Sequence, residues 1–205
     1  MRTIIRNATL VNEGACFKGH LIIEDERIAE VLSSEGISDV PCDVEIDASG
    51  MYLLPGVIDD HVHFRDPGLT HKADMESESR AAASGGVTSY MDMPNTVPQT
   101  TSLETLDAKF VDAGKKSRVN YSFFFGVTND NAQLLPSLDK RRVCGVKLFM
   151  GSSTGNMLVD KQEALTKIFS EAGMLIMAHC EDQSIIQANT EALKAQYGED
   201  PDVKY

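Results

Sequence analysis

A chain of 205 residues that is 42% hydrophobic can bury a core and corresponds in length to one or two domains. Its 31 acidic residues outnumber 19 basic ones, and the net charge of −12 argues against nucleic acid or an anionic membrane as partner. An anionic substrate would need a cation placed locally. No stretch approaches the roughly 18 apolar residues of a membrane span, and Arg2 and Arg6 interrupt the first apolar run too early for a secretory signal. The expectation is a cytoplasmic protein. Cys16, Cys42, Cys144 and Cys180 lack Cys-x-x-Cys spacing and read as reduced thiols rather than disulfides or a zinc knuckle.

Residues 1–52 read as a small β-rich domain, with short apolar runs at 3–5, 8–11, 20–23 and 27–32 separated by glycine and acidic turns. Glu24-Asp25-Glu26-Arg27 suits a hairpin turn. No titratable groups cluster here, so the segment reads as structural. Residues 53–205 have a different rhythm, strand then helix, repeated. Strands are predicted at 57–64, 87–93, 119–125, 143–150 and 174–178, and helices at 72–84, 103–114, 129–138, 161–172 and from 181 onward. Gly85-Gly86 suits a helix end and Ser102 a helix start. Alternation of this kind implies a parallel sheet, and polar residues after each strand imply an α/β barrel with its site at the C-terminal strand ends. Eight strands close such a barrel and five are counted, so the expectation is an incomplete barrel, the N-terminal portion of a longer protein.

The strand ends carry the chemistry. In Val57-Ile58-Asp59-Asp60-His61-Val62-His63, an extended backbone puts Asp59, His61 and His63 on one face, and two imidazoles suit a divalent transition metal. Arg65 follows. The second strand runs into Asp92-Met93-Pro94-Asn95-Thr96, where Asn95 offers an amide that can donate and accept. Lys147 lies within the apolar run Gly145-Val146-Lys147-Leu148-Phe149-Met150. A buried ammonium is costly, so this lysine should be neutral, paired, snorkelling, or altered chemically; carbamylation would make it a carboxylate able to bridge two metals. His179 closes the fifth strand.

Taken together, these residues resemble the amidohydrolase superfamily, and within it the dihydroorotase branch. Pro55-Gly56-Val57-Ile58-Asp59-Asp60-His61-Val62-His63 is similar to the superfamily metal motif, while Phe64-Arg65-Asp66-Pro67-Gly68 and Met93-Pro94-Asn95-Thr96 are similar to the additions of that branch. The resemblance implies a metal-dependent hydrolase of the (β/α)8 TIM-barrel type, preceded by a β-sandwich domain. It implies two divalent ions, zinc, with His61 and His63 on one, His179 on the other and carbamylated Lys147 between them. Arg65 and Asn95 would hold the substrate carboxylate. The implied reaction is reversible hydrolysis of the cyclic amide of dihydroorotate to carbamoyl-aspartate in pyrimidine synthesis, by a homo-oligomer, a dimer or tetramer. The family's acid/base aspartate and last histidine ligand would lie beyond Tyr205, so no catalytic acid or base is expected within the chain.

Two other functions fit parts of the pattern. A cyclic amidase acting on hydantoin, dihydropyrimidine or allantoin shares the barrel, the histidine pair and the lysine, but uncharged rings give Arg65 no task. A catalytically silent homologue serving as an assembly partner would be expected to have lost ligands, and every ligand position the chain reaches is filled.

Overall fold

The protein is described by a computed structural model covering residues 1–33, 40–151 and 157–199. It divides into two compact units, Met1–Gly56 and Val57–Tyr205. The first is a five-stranded sheet of β1 (Arg2–Asn12), β2 (Ala15–Glu24), β3 (Arg27–Ser33), β4 (Val44–Asp47) and β5 (Tyr52–Leu53), ordered β3-β2-β1-β4 with β5 also on β1. The runs expected at 3–5 and 8–11 are one strand. Its pairing with β2 shifts between Ile5 and Ala8, where Asn7 takes a φ of 62° and donates its N–H to Nδ1 of buried His20. The sequence pattern does not mark β4 and β5, which are too short for alternation to show and are held by parallel pairing with β1. Because Leu53 pairs with Leu10, the unit runs past the expected boundary at residue 52. Ile4, Ala8, Leu10, Leu21, Ile22 and Ala48 are its buried apolar residues.

In the second unit β6 (Val57–Val62), α1 (Met75–Ser84), β7 (Val87–Asp92), α2 (Leu103–Lys116), β8 (Asn120–Gly126), a 3-10 helix (Ala132–Ser137), β9 (Gly145–Met150), α3 (Gln162–Glu171), β10 (Ile176–Cys180) and α4 (Gln183–Tyr197) alternate along the chain. All five strands are parallel and lie in the order β10-β9-β8-β7-β6. This is the expected partial barrel sheet. Helix starts follow local chemistry: Asp74 accepts the Ser77 N–H, Ser102 and Thr105 form a capping box, and Asp182 accepts from Ser184 and Ile185. Capping by Asp74 begins α1 at Met75 rather than at the expected residue 72. Helix α2 continues through Gly114 to Lys116, whose ammonium suits the C-terminal end of the dipole. The segment expected as a helix over 129–138 is a 3-10 turn, since Pro136 inside it has no N–H to donate.

Burial is uneven across the sheet. Phe123, Phe124 and Phe125 of β8 are all fully buried, as are Val146 and Leu148 of β9, because a central parallel strand is covered on both faces. Phe123, Phe125, Val146 and Leu148 pack with Tyr90, Leu106, Phe110, Ala113, Ile168 and their neighbours. Each apolar side chain so buried contributes about 2 kcal/mol. The end strands differ: β6 is exposed up to His61, and β10 is exposed from Ala178 through Cys180.

Candidate metal and carboxylate site

Strand β6 ends at Val62, two residues short of the expected 64. The cause is Asp92 at the end of β7, which accepts the Phe64 N–H through Oδ1 at 2.9 Å and turns the chain away from the ladder. His61 and His63 still face each other, with ring centroids 5.3 Å apart. Nδ1 of His63 lies 2.8 Å from Oδ1 of Asn95. With the amide oxygen facing the ring, Nδ1 carries the proton and donates it, and Nε2 keeps its lone pair. Burial pulls the His63 pKa below the usual histidine range; the Asn95 contact opposes that, and the Arg65 charge adds to it. The ring is thus held neutral and oriented, the state a metal ligand requires.

Lys147 lies on β9 and is buried at 2% exposure. Desolvation lowers its pKa, the opposing influence of Cys180 being smaller. No ion pair engages its Nζ among the described residues, and its nearest noted aromatic partner is the Phe149 ring, 4.8 Å away. A lysine biased toward the free amine is the form that can capture carbon dioxide. Strand β10 runs from Ile176 to Cys180, two residues later at each end than expected, and so includes His179. An even shift preserves the face: His179 is in register with Phe149 of β9, and the two rings are 6.3 Å apart. Nε2 of His179 lies 3.4 Å from Oε1 of Glu181.

The histidine pair therefore stands at the C-terminal end of one end strand, His61 on it and His63 just beyond it, and Lys147 and His179 stand on the two strands at the other end of the sheet. Among the described residues no three His, Cys, Asp or Glu side chains lie close enough to hold a metal ion. The donors fit a metal in type, with a neutral oriented imidazole and an amine ready for conversion to a carboxylate. His61, His63, Lys147 and His179 are the residues that could hold it.

Arg65 is next to the pair and adopts a φ of 62°, a left-handed conformation costing a non-glycine residue on the order of 1 kcal/mol. Asp66 after it is buried, accepting the Met75 N–H at 3.2 Å and the Lys116 ammonium at 2.9 and 3.1 Å. Gly68 completes the turn with a φ of 85°, and a Cβ there would overlap the Val97 carbonyl. The Val97 N–H in turn donates to Pro67 O, tying this loop to the one that carries Asn95. Asn95, expected on the substrate, meets His63 through its Oδ1, which leaves its Nδ2 as the group that could donate to a carboxylate. Sequence reasoning missed Asp92, Lys109, Asp66 and Lys116. One signal was available: Lys109 stands among Leu106, Phe110 and Ala113 on the apolar face of α2, where an unpaired charge would not be tolerated.

A five-stranded parallel strand-helix sheet, with a His-x-His strand first and a lysine strand fourth, defines a half-barrel of the amidohydrolase type. The family described as Dihydro-orotase-like matches residues 50–198, and the chain belongs to it. It is 36% identical over 185 residues to the dihydroorotase of Methanosarcina mazei, covering 88% of this chain and 40% of that protein. It is 32% identical over 202 residues to the L-hydantoinase of Paenarthrobacter aurescens, covering 96% and 44%. The solved structure of L-hydantoinase (dihydropyrimidinase) from Arthrobacter aurescens superposes with a TM-score of 0.87 at 30% identity, covering 97% of this chain and 45% of that one. The chain spans less than half the length of the curated relatives it matches.

Proposed function

We propose that the protein is a metal-dependent cyclic amidohydrolase of the dihydroorotase type, opening the ring amide of dihydroorotate to carbamoyl-aspartate. The observation that carries the reading is Arg65. A guanidinium beside the histidine pair, in a backbone conformation that has to be held in place, is the local cation that a chain of charge −12 needs for a carboxylate-bearing ring, and it can grip that carboxylate with two parallel hydrogen bonds. His61, His63, His179 and carbamylated Lys147 would hold two divalent ions, zinc by donor type. Such ions supply Lewis acidity and lower the pKa of water. Within this chain, Asn95 orients His63, and Arg65 sets the ring so that its amide carbonyl faces the histidine pair. The hydantoinase reading, with an uncharged ring as substrate, draws on one observation: an L-hydantoinase matches as extensively as the dihydroorotases.

The test is turnover and metal content of the intact protein. Dihydroorotate and carbamoyl-aspartate should turn over with zinc bound, while hydantoin and dihydrouracil are poor substrates. Arg65→Met should lower kcat/KM for dihydroorotate about a hundredfold, the worth of two charge-assisted hydrogen bonds, with metal stoichiometry intact. Preference for the uncharged rings would overturn the dihydroorotase reading in favour of the hydantoinase one, and metal-loaded protein inert toward all four would favour the silent homologue.

A further inference from the structure

Helix α2 carries Lys109 and Lys116 two turns apart on one face, and each reaches a buried carboxylate flanking Arg65. On the upstream side, Asp92 accepts the Phe64 N–H through Oδ1, and its Oδ2 lies 2.6 Å from the Lys109 Nζ. The same Nζ donates to the Met93 carbonyl at 3.0 Å, and the Met93 N–H donates to Val62 O at 3.0 Å. On the downstream side, Asp66 accepts the Met75 N–H and the Lys116 ammonium, which also bonds Asp112 at 2.6 Å. Phe64 is therefore held through its backbone N–H and Asp66 through its side chain, so the residues on either side of Arg65 are anchored independently.

We propose that Lys109 and Lys116 act as a paired clamp that keeps Arg65 in its left-handed conformation with its guanidinium free for an external carboxylate, which makes both lysines positioning residues for substrate recognition. The proposal rests on the reading of Arg65 as the carboxylate-binding group. Three observations carry it. A left-handed arginine persists only where its surroundings over-determine it, and here both neighbours are anchored, Phe64 by the Asp92 carboxylate on its N–H and Asp66 by the Met75 N–H and the Lys116 ammonium on its own carboxylate. A buried ion pair is seldom more stabilising than an apolar pair of the same volume, so the fully buried Asp92–Lys109 pair is better explained by orientation than by stability. Each flanking carboxylate also has its own lysine, so neither Asp66 nor Asp92 draws the guanidinium inward; Arg65 makes no ion pair among the described residues.

The experiment compares Lys109→Met, Lys116→Met, Lys116→Arg and Arg65→Met in the intact protein by two measurements. The first is amide hydrogen exchange at Phe64 and Met75, whose N–H groups bond the two carboxylates. Lys109→Met should speed exchange at Phe64, and Lys116→Met at Met75, about tenfold or more, with protection in β8 and β9 retained. The second is the ratio of kcat/KM for dihydroorotate to that for dihydrouracil. Each methionine variant should lower it about tenfold or more and Lys116→Arg should restore it, a pattern that general loss of packing does not produce. If Lys109→Met does not fold, the double variant Asp92→Asn/Lys109→Met, which leaves no unpaired charge at that position, replaces it. Wild-type exchange at both amides overturns the clamp whatever Arg65 does. An unchanged ratio in folded lysine variants, while Arg65→Met lowers it, overturns their role in recognition. An unchanged ratio in Arg65→Met overturns the reading of Arg65 and the positioning role with it.

Discussion

His63 shows how one side chain can be prepared for a ligand before any ligand arrives. Half-burial disfavours its imidazolium, and Asn95 fixes the ring. In the metal-free protein its folded pKa lies below the unfolded value of about 6.5, so as pH falls through that value the unfolded chain takes up the proton first and stability drops. His63→Gln should flatten this slope. The check is the difference in urea midpoint between pH 7.5 and 5.5, which should be larger in the wild type; equal differences would show that His63 titrates alike in both states. Lys147 is the complementary case, a base whose burial favours the free amine. Lys147→Ala should lose bound metal and activity together, by about a hundredfold or more, with partial recovery in acetate or propionate, which return a carboxylate to the vacated space. Activity retained without rescue would remove the lysine from the site.

At the scale of elements, the approach of the Pro94–Asn95 loop to the sheet depends on Gly126 at the end of β8, in register with Lys147. A Cβ at Gly126 would overlap the Met157 methyl and stand 3.0 Å from Pro94 Cβ. The methionine can move and the proline cannot. Gly126→Ala should therefore cost about 1–3 kcal/mol by overpacking, and should weaken metal binding through displacement of Asn95, which urea unfolding and zinc titration would read separately. The pattern of strand and helix was legible in the sequence here, since periodicity and caps such as Ser102 report on local structure. The element ends were less so. Strand β6 stops at Val62 because an aspartate from the next strand captures Phe64, and β10 starts late because its register follows β9. Those causes are tertiary and leave no trace in a window of neighbouring residues. The same is true of Asn95: a Pro-Asn pair is visible in the sequence, but its bond to a histidine 32 positions earlier is not.

For the whole molecule, the buried centre and exposed ends of the second sheet govern behaviour in solution. Val57 and Ile58 on β6 are 55% and 61% exposed, and each end strand pairs with only one neighbour among the described residues. Unpaired strand edges with apolar side chains invite association. A polypeptide of residues 1–205 should self-associate as its concentration rises, and Ile58→Lys should reduce that; a monodisperse wild-type monomer by light scattering at every concentration would contradict it. Composition foretold a globular protein and the alternation of strand and helix foretold a half-barrel, yet the placing of His61 and His179 on opposite end strands is a property of the sheet order and not of either motif.

Read from β6 to β10, the order of the second sheet is also the order in which its strands leave the ribosome. Among the described strands each new one docks beside the one made just before it, and the growing sheet can be covered helix by helix. In the first sheet β1 must hold an open side until β4 and β5 arrive some forty residues later. Among the described strand pairs the longest pause before pairing therefore falls in the β-rich unit, while consecutive strands of the unit that carries the histidines and the lysine pair about thirty residues apart or less.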